Sequence, residues 1–407
     1  MSPVSRKALI IGAVVVLLVA AYYLSNVHGR RKYVDTSGRI VALSDTSLTD
    51  PKTPGHPHIW IMGADGSGAQ MLTRGSETDE DPSFSPDGSI ITFISDRKGS
   101  PEVWIMNGDG TDPDQLTIGN DAKSMPKFSP DGKQIAFISR GTLTVVNVET
   151  HAQEILYPVP HQGASDTDAS APGRAPVINF AWAPVGDQNG TLIACVQDSD
   201  SGNQTLTLLG GSLAEPTPVA SATNVSFTWA PDASHLLVSL LDVVGVRPPS
   251  ETLSKLPPGM ALAPVPNFPK SGIYTFGTDG SILAGTPPMA VMPKPDEGSQ
   301  NPSISPDGAI LAFETWPNPN ADVIHYEGIR SILTANGAAG PITLNGPTAQ
   351  PAFSADGQLF AFTAPNRGHR GWRDLIAIHF NNKNVLNLTT GHINVLEFSV
   401  SPAIKKS

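Results

Sequence analysis

The chain has 407 residues and a formal net charge of −11, with 26 Lys and Arg against 37 Asp and Glu. Residues 1–34 hold five of the basic residues and none of the acidic ones, so the remainder is strongly acidic. That balance disfavours nucleic-acid binding by this part of the chain, which would need a basic face. The single cysteine, Cys195, excludes a disulfide framework, a thiolate zinc cluster and a CxxC redox pair.

The N-terminus comes first. Ala8 to Leu24 is an uncharged apolar run, preceded by Arg6-Lys7 and followed by Arg30-Arg31-Lys32. Its 17 residues stand at the lower limit for a membrane span. Tyr22-Tyr23 sit where an interfacial aromatic belt would lie. Residues 1–34 are therefore expected to be an uncleaved helical anchor, the alternative being a signal peptide cut after Ala20 or Ala21. Residues 35–407 form one domain.

That domain repeats a phrase. Phe84-Ser85-Pro86-Asp87-Gly88 recurs as Phe128-Ser129-Pro130-Asp131-Gly132, Ile304-Ser305-Pro306-Asp307-Gly308 and Phe353-Ser354-Ala355-Asp356-Gly357. Worn copies stand at Trp182-Ala183-Pro184 and Trp229-Ala230-Pro231-Asp232. Repeats of this length indicate a repeat architecture.

The cleanest copy runs from Asp81 to Thr117. Pro82–Ser85 reads as a strand and Pro86-Asp87-Gly88 as a turn. Ser89–Ser95 is β-branched and apolar on both faces, which suits a strand covered on both sides. Glu102–Met106 is a third strand, Asn107–Gly110 a hairpin turn and Asp114–Thr117 a fourth strand. Four antiparallel strands per unit make the blade of a β-propeller. The chain opens on strands without a first strand (Gly38–Ser44, His58–Gly66, Gln70–Thr73) and closes on a first strand alone, Val395–Pro402. The expected fold is all-β: a propeller of seven four-stranded blades, six whole and one closed by the N- and C-terminal strands. Closure removes exposed sheet edges.

This pattern (Phe-Ser-Pro-Asp-Gly, an apolar strand, Ser-Asp-Arg, then Asp-Gly and Leu-Thr) resembles the WD40-like repeat of TolB-type propellers over about residues 38–402. The resemblance implies a bacterial extracytoplasmic, periplasmic propeller that serves as a protein-binding scaffold. The chain differs from TolB in its anchor-like N-terminus and in the count of seven blades instead of six. The repeat also resembles the propeller of prolyl-oligopeptidase-type peptidases, but no G-x-S-x-G is present and no hydrolase domain fits.

Other motifs have structural explanations. Asn107-x-Asp109-Gly110-x-Asp112 lacks the ligand spacing of a calcium loop and reads as a hairpin turn. His56 and His58 lack a third metal ligand nearby. No metal and no cofactor is expected. Long insertions collect on one face: Asp45–Pro57, His161–Pro176, Val243–Lys270, Pro287–Gln300, Thr315–Glu327 and Pro365–Arg373. Long loops on a rigid scaffold usually carry recognition. Within the last of them, Arg367, His369, Arg370, Trp372 and Arg373 form a basic, aromatic loop suited to an acidic protein or a glycan.

Three residues before each repeat marker stand Asp81, Met125, Asn179, Ser226, Asn301, Gln350 and Val395. They are expected to ring the loop-side mouth of the channel, either as turn-forming strand starts or as a polar ligand site. The expected binding residues are Asp81, Asn179, Ser226, Asn301, Gln350, Arg370 and Trp372. The expected function is a non-catalytic scaffold for a protein or glycan partner. The alternatives are a small-ligand sensor propeller and a hydrolase built on the same loops. No nucleic-acid partner is expected, and the membrane is met only through residues 1–34.

Overall fold

The computed structural model describes residues 38–46, 54–158, 175–184, 192–199, 201–248, 262, 271–283, 290–291, 297–317, 328–354, 356–380, 383–389 and 393–401. The apolar run of residues 8–24, the proposed helix and most of the long insertions lie outside them. Among the described residues no helix is long and apolar enough to cross a membrane.

The chain opens with β1 (Arg39–Thr46), β2 (Pro54–Gly63) and β3 (Gln70–Met71). The next sheet is β4 (Asp79–Phe84), β5 (Ile90–Ser95), β6 (Glu102–Asn107) and β7 (Asp114–Gln115). A third follows: β8 (Lys123–Phe128), β9 (Gln134–Ser139), β10 (Thr142–Asn147) and β11 (Gln153–Tyr157). Then come β12 (Val177–Trp182), β13 (Ile193–Asp198), β14 (Gln204–Leu209), β15 (Thr217–Trp229), β16 (His235–Val246), β17 (Gly272–Gly277) and β18 (Ala290–Val291) in one continuous sheet. A fifth sheet holds β19 (Glu297–Ile304), β20 (Ile310–Pro317), β21 (Gly328–Leu333) and β22 (Ala339–Asn345). The sixth holds β23 (Ala349–Phe353), β24 (Leu359–Pro365), β25 (Arg373–His379) and β26 (Asn384–Asn387). The last strand, β27 (Val395–Val400), returns to pair antiparallel with β1, Val41 facing Ser399.

The fold is an all-β propeller closed by its two ends. The expectation of seven separate four-stranded blades requires correction, because the structure has six hydrogen-bonded sheets, one of them seven-stranded. The cause is β15. Between Pro218 and Trp229 its sequence holds no Gly, Pro or Asp to break the strand, so one strand pairs with β14 over residues 217–222 and with β16 over residues 220–229. Some expected loops are also shorter than anticipated. Pro54–Pro57 belongs to β2, and Val243–Val246 extends β16.

The core lies between sheets. Val41, Leu43, Ile59 and Ile61 pack against Phe84, Ile91, Phe93, Trp104 and Met106 of the next sheet. Equivalent clusters follow around the ring, and Ile40, Ala42 and Met62 close it against Leu359, Ala361, Leu375, Ala377 and Val395. Covering on both faces explains why β5 is buried at every residue except its first, Ile90.

The repeated phrase builds one turn four times. Ser85 Oγ donates to Asp87 Oδ1 at 2.6 Å, the Ser89 amide donates to the same oxygen, and the Ile90 amide donates to Ser85 Oγ. The same bonds recur at Ser129/Asp131, Ser305/Asp307 and Ser354/Asp356. Gly88 closes the turn at φ 71°, a region that a side chain disfavours. Where a marker is Trp instead of Phe, its indole gains a partner: Trp182 Nε1 donates to Lys127 O at 3.0 Å and Trp229 Nε1 to Ala181 O at 3.2 Å.

The serine hydroxyls hold the carboxyls of Asp87, Asp131 and Asp307 below the ordinary value of 3.8, with the amides two residues on adding to the effect. A depressed carboxylate pKa stabilises the fold above the unfolded value, and that contribution is lost as pH falls through the folded values. We expect the melting temperature to drop as pH falls below about 4. The triple variant Asp87→Asn, Asp131→Asn, Asp307→Asn should melt lower at neutral pH and show a shallower acid slope. An unchanged slope would sever the turns from acid stability.

Candidate functional site

Among the first strands, β4 meets β8, β15 meets β19, β19 meets β23, β23 meets β27 and β27 meets β4. In β4, β8, β12, β19, β23 and β27 the pairing register slips by one residue. A slip of this kind is a β-bulge, which bends the strand and re-aims side chains. It falls at the expected ring positions. Asp81, Met125, Asn301 and Gln350 all have positive φ, between 48° and 58°. Met125 shows that the backbone imposes this conformation, because Met gains nothing from it.

The bulge frees amides, and neighbouring residues take them up. Asp81 Oδ2 accepts from the Met125 amide of the next sheet at 2.6 Å. Glu314 Oε1 on β20 accepts from the Gln350 amide at 2.7 Å and from Asn301 Nδ2 at 3.0 Å. Gln350 Nε2 donates to Leu396 O at 3.1 Å. These contacts make Asp81, Asn301 and Gln350 links within and between sheets. Asn179 is half-buried at the slip in β12, and Ser226 is buried with its hydroxyl unbonded.

His56 and His58 face residues at the start of β4. His56 Nδ1 lies 3.4 Å from Thr78 Oγ1, and His58 Nδ1 lies 3.6 Å from Asp79. Asp79 is buried and paired with Arg97 at 2.9 Å. Burial pushes its carboxyl up, but the facing groups of His58, Thr73, Ser95 and Arg97 outweigh it and hold the pKa below the usual value. No cluster of three His, Cys, Asp or Glu side chains suited to a metal occurs among the described residues.

Charged groups also stand outside the expected ring. One residue before each marker stand Ser83, Lys127, Ala181, Thr228, Ser303, Ala352 and Glu397. Five are small or hydroxylic and two are charged, and that contrast was the readable signal. Burial pushes Glu397 up to about 7, and the nearby Asp81 carboxylate adds to the shift while Lys127 opposes it. Burial likewise raises Glu80, with Asp81 and Asp96 adding to it. Burial lowers Lys127, against the attraction of Glu397 and Asp81. Beside Lys127 opens a cleft of about 270 Å³, lined by Ser83, Phe84, Ser85, Pro86, Phe128, Ala181, Trp182, Ser399 and Val400. It lies at the short-turn mouth, opposite the loop-rich face.

On the loop-rich face, the connection between β24 and β25 is a built hairpin. The Asn366 amide donates to Trp372 O at 2.8 Å, and Asn366 Oδ1 accepts from the amides of Gly368 and His369. The rings of His369 and Trp372 stack with centroids 4.5 Å apart. Arg373 anchors the base, donating to Thr363 and Pro347 O. Arg367 and Arg370 are exposed at its tip.

The repeats, the turn geometry and the ring of sheets together define a β-propeller. Residues 45–217 match the family model described as TolB beta propeller domain, so the resemblance is shown over that stretch. Comparison with curated proteins finds no match. Among solved structures, the chain is similar to an oligogalacturonate lyase in complex with manganese: TM-score 0.54, 14% identity, covering 86% of this chain and 85% of that one. A second oligogalacturonate lyase, from Vibrio parahaemolyticus, gives TM-score 0.53 at 14% identity over 86% of this chain and 85% of that one. TolB from Acinetobacter baumannii gives TM-score 0.46 at 15% identity, over 91% of this chain and 68% of that one. At these identities the likeness is one of fold.

Proposed function

We propose that this chain is a non-catalytic propeller scaffold of the bacterial cell envelope that docks an acidic protein segment on its loop-rich face. The carrying observation is the 366–373 hairpin. Its His369–Trp372 stack offers a flat aromatic surface, and Arg370 stands exposed beside it in an acidic domain. Aromatic and arginine side chains on a pre-formed support are the usual anchors of an interface. A glycan with acidic groups is the second occupant this surface would suit.

In the same reading residues 1–34 anchor the chain and the propeller lies outside the cytoplasm. The seven-stranded sheet counts as two blades sharing β15. Its two halves pack face to face, with Val196, Leu206 and Leu208 against Trp229, Val238, Tyr274 and Phe276, as neighbouring sheets do elsewhere in the ring. On that reading the ring has seven blades, a count that this packing supports.

The double variant Arg370→Glu, Trp372→Ala tests the docking face. In pull-downs from detergent-solubilised envelopes, the wild type should recover a partner that the double variant loses at least tenfold, about 1.4 kcal/mol of affinity. Both should melt alike, because neither side chain is buried. Equal recovery by the two proteins would refute this docking surface.

A further inference from the structure

Lys127 is a cation whose surroundings suit a second, separate ligand. Its ammonium is hemmed in by protein and lies over the Phe180 ring, 5.4 Å from the centroid. It donates to Phe180 O at 3.2 Å. Among the described residues no carboxylate stands within 4.0 Å of it and no second acceptor reaches it. A half-buried ammonium whose spare donors meet no carboxylate directly gains from an anionic ligand that engages them.

Among the described residues Lys127 is also the one ionisable side chain lining the short-turn cleft. Around it stand the aromatic walls of Phe84, Phe128 and Trp182 and the hydroxyls of Ser83 and Ser399. Apolar walls with a few convergent polar groups are the usual make-up of a small-molecule site. At about 270 Å³ the cleft fits a fragment-sized body.

We propose that the short-turn mouth of the channel binds a small carboxylate with an aromatic or aliphatic body, its anionic end on Lys127 and its apolar body against Phe84, Phe128 and Trp182.

The acids nearby shape this preference without reversing it. Asp81 is occupied by the Met125 amide at 2.6 Å. Burial, with Asp81 and Glu80 adding to it, pushes Glu397 up to about 7 against the attraction of Lys127. A bound carboxylate adds negative charge beside Lys127 and so favours protonated Glu397. By linkage its affinity must rise as pH falls through that range. The site stands apart from the loop-rich face, so the two proposals fail independently.

Calorimetric titration of the full chain with 3-phenylpropionate, beside the neutral 3-phenylpropan-1-ol, tests it. The acid should bind at least tenfold more tightly than the alcohol, and three- to tenfold more tightly at about pH 6 than at about pH 8. Lys127→Met should abolish the difference between the two probes. Glu397→Gln should keep acid binding and flatten its pH dependence. The wild-type comparison stands even where a variant fails to fold. Equal affinity for acid and alcohol, or no acid binding at about 10 mM and about pH 6, overturns the site.

Discussion

Deleting residues 395–407 will abolish the folded monomer. β27 is the strand that closes the ring. It pairs with β1 from Ile40↔Val400 to Ser44↔Val395. Beyond it the Ser401 amide donates to Arg39 O at 2.8 Å, and the Arg39 amide donates to Ser401 Oγ at 2.9 Å. Val395 is fully buried in the cluster that joins the first and last sheets. Its loss opens that cluster to water and leaves β1 as an unpaired edge, a template for aggregation. The expected cost exceeds about 5 kcal/mol, comparable with the whole stability of many domains. Size-exclusion chromatography should show aggregate in place of monomer. A monomeric truncation with the wild-type melting temperature would contradict closure.

Glu102→Ala should cost about 3–5 kcal/mol, because it strands a buried cation. Glu102 and Lys123 have side chains only 3% and 6% exposed, and they meet at 3.0 Å between two sheets. The pair is well supplied with partners. Thr117 Oγ1 donates to Glu102 at 2.5 Å and Ser100 Oγ at 3.0 Å, while Lys123 Nζ also donates to Asp121 O at 2.7 Å. Thr117 Oγ1 in turn accepts the Val103 amide at 2.9 Å, so the carboxylate also orders the third strand. Removing the acid leaves the ammonium with one carbonyl in a dry site. The double variant Glu102→Ala, Lys123→Met should recover much of the loss, since it removes the orphan charge. Denaturant titration measures both. A single variant costing less than about 1 kcal/mol would show that water reaches the pair.

The blade was legible because its signals are local. Pro, Asp and Gly mark the Ser85–Gly88 turn, and the two-sided apolar run of Ile90–Ser95 marks a covered strand. The pairing of Val395–Val400 with β1 was legible by counting, since one first strand was surplus and one was missing. What escaped was whatever depends on an absent signal or on distant neighbours. The unbroken β15 follows from a missing turn, which a search for turn residues passes over. The left-handed bulge at Asp81, Met125, Asn301 and Gln350 arises from register between strands, not from those residues' preferences. Their polar character suggested a ligand ring, yet Glu314 and the Met125 amide take up much of it. Lys127 and Glu397 looked like ordinary strand residues until the ring brought them to one channel.

The docking face is tested most directly by photo-crosslinking from single positions in intact cells. A benzophenone side chain placed at Arg370 samples the loop-rich face, and one at Asp131 samples the short turns opposite. Both positions are exposed. A discrete protein adduct from position 370 and none from position 131 is the result expected of a scaffold that binds through its loop-rich face. Adducts from position 131 alone, or from neither position, would contradict it.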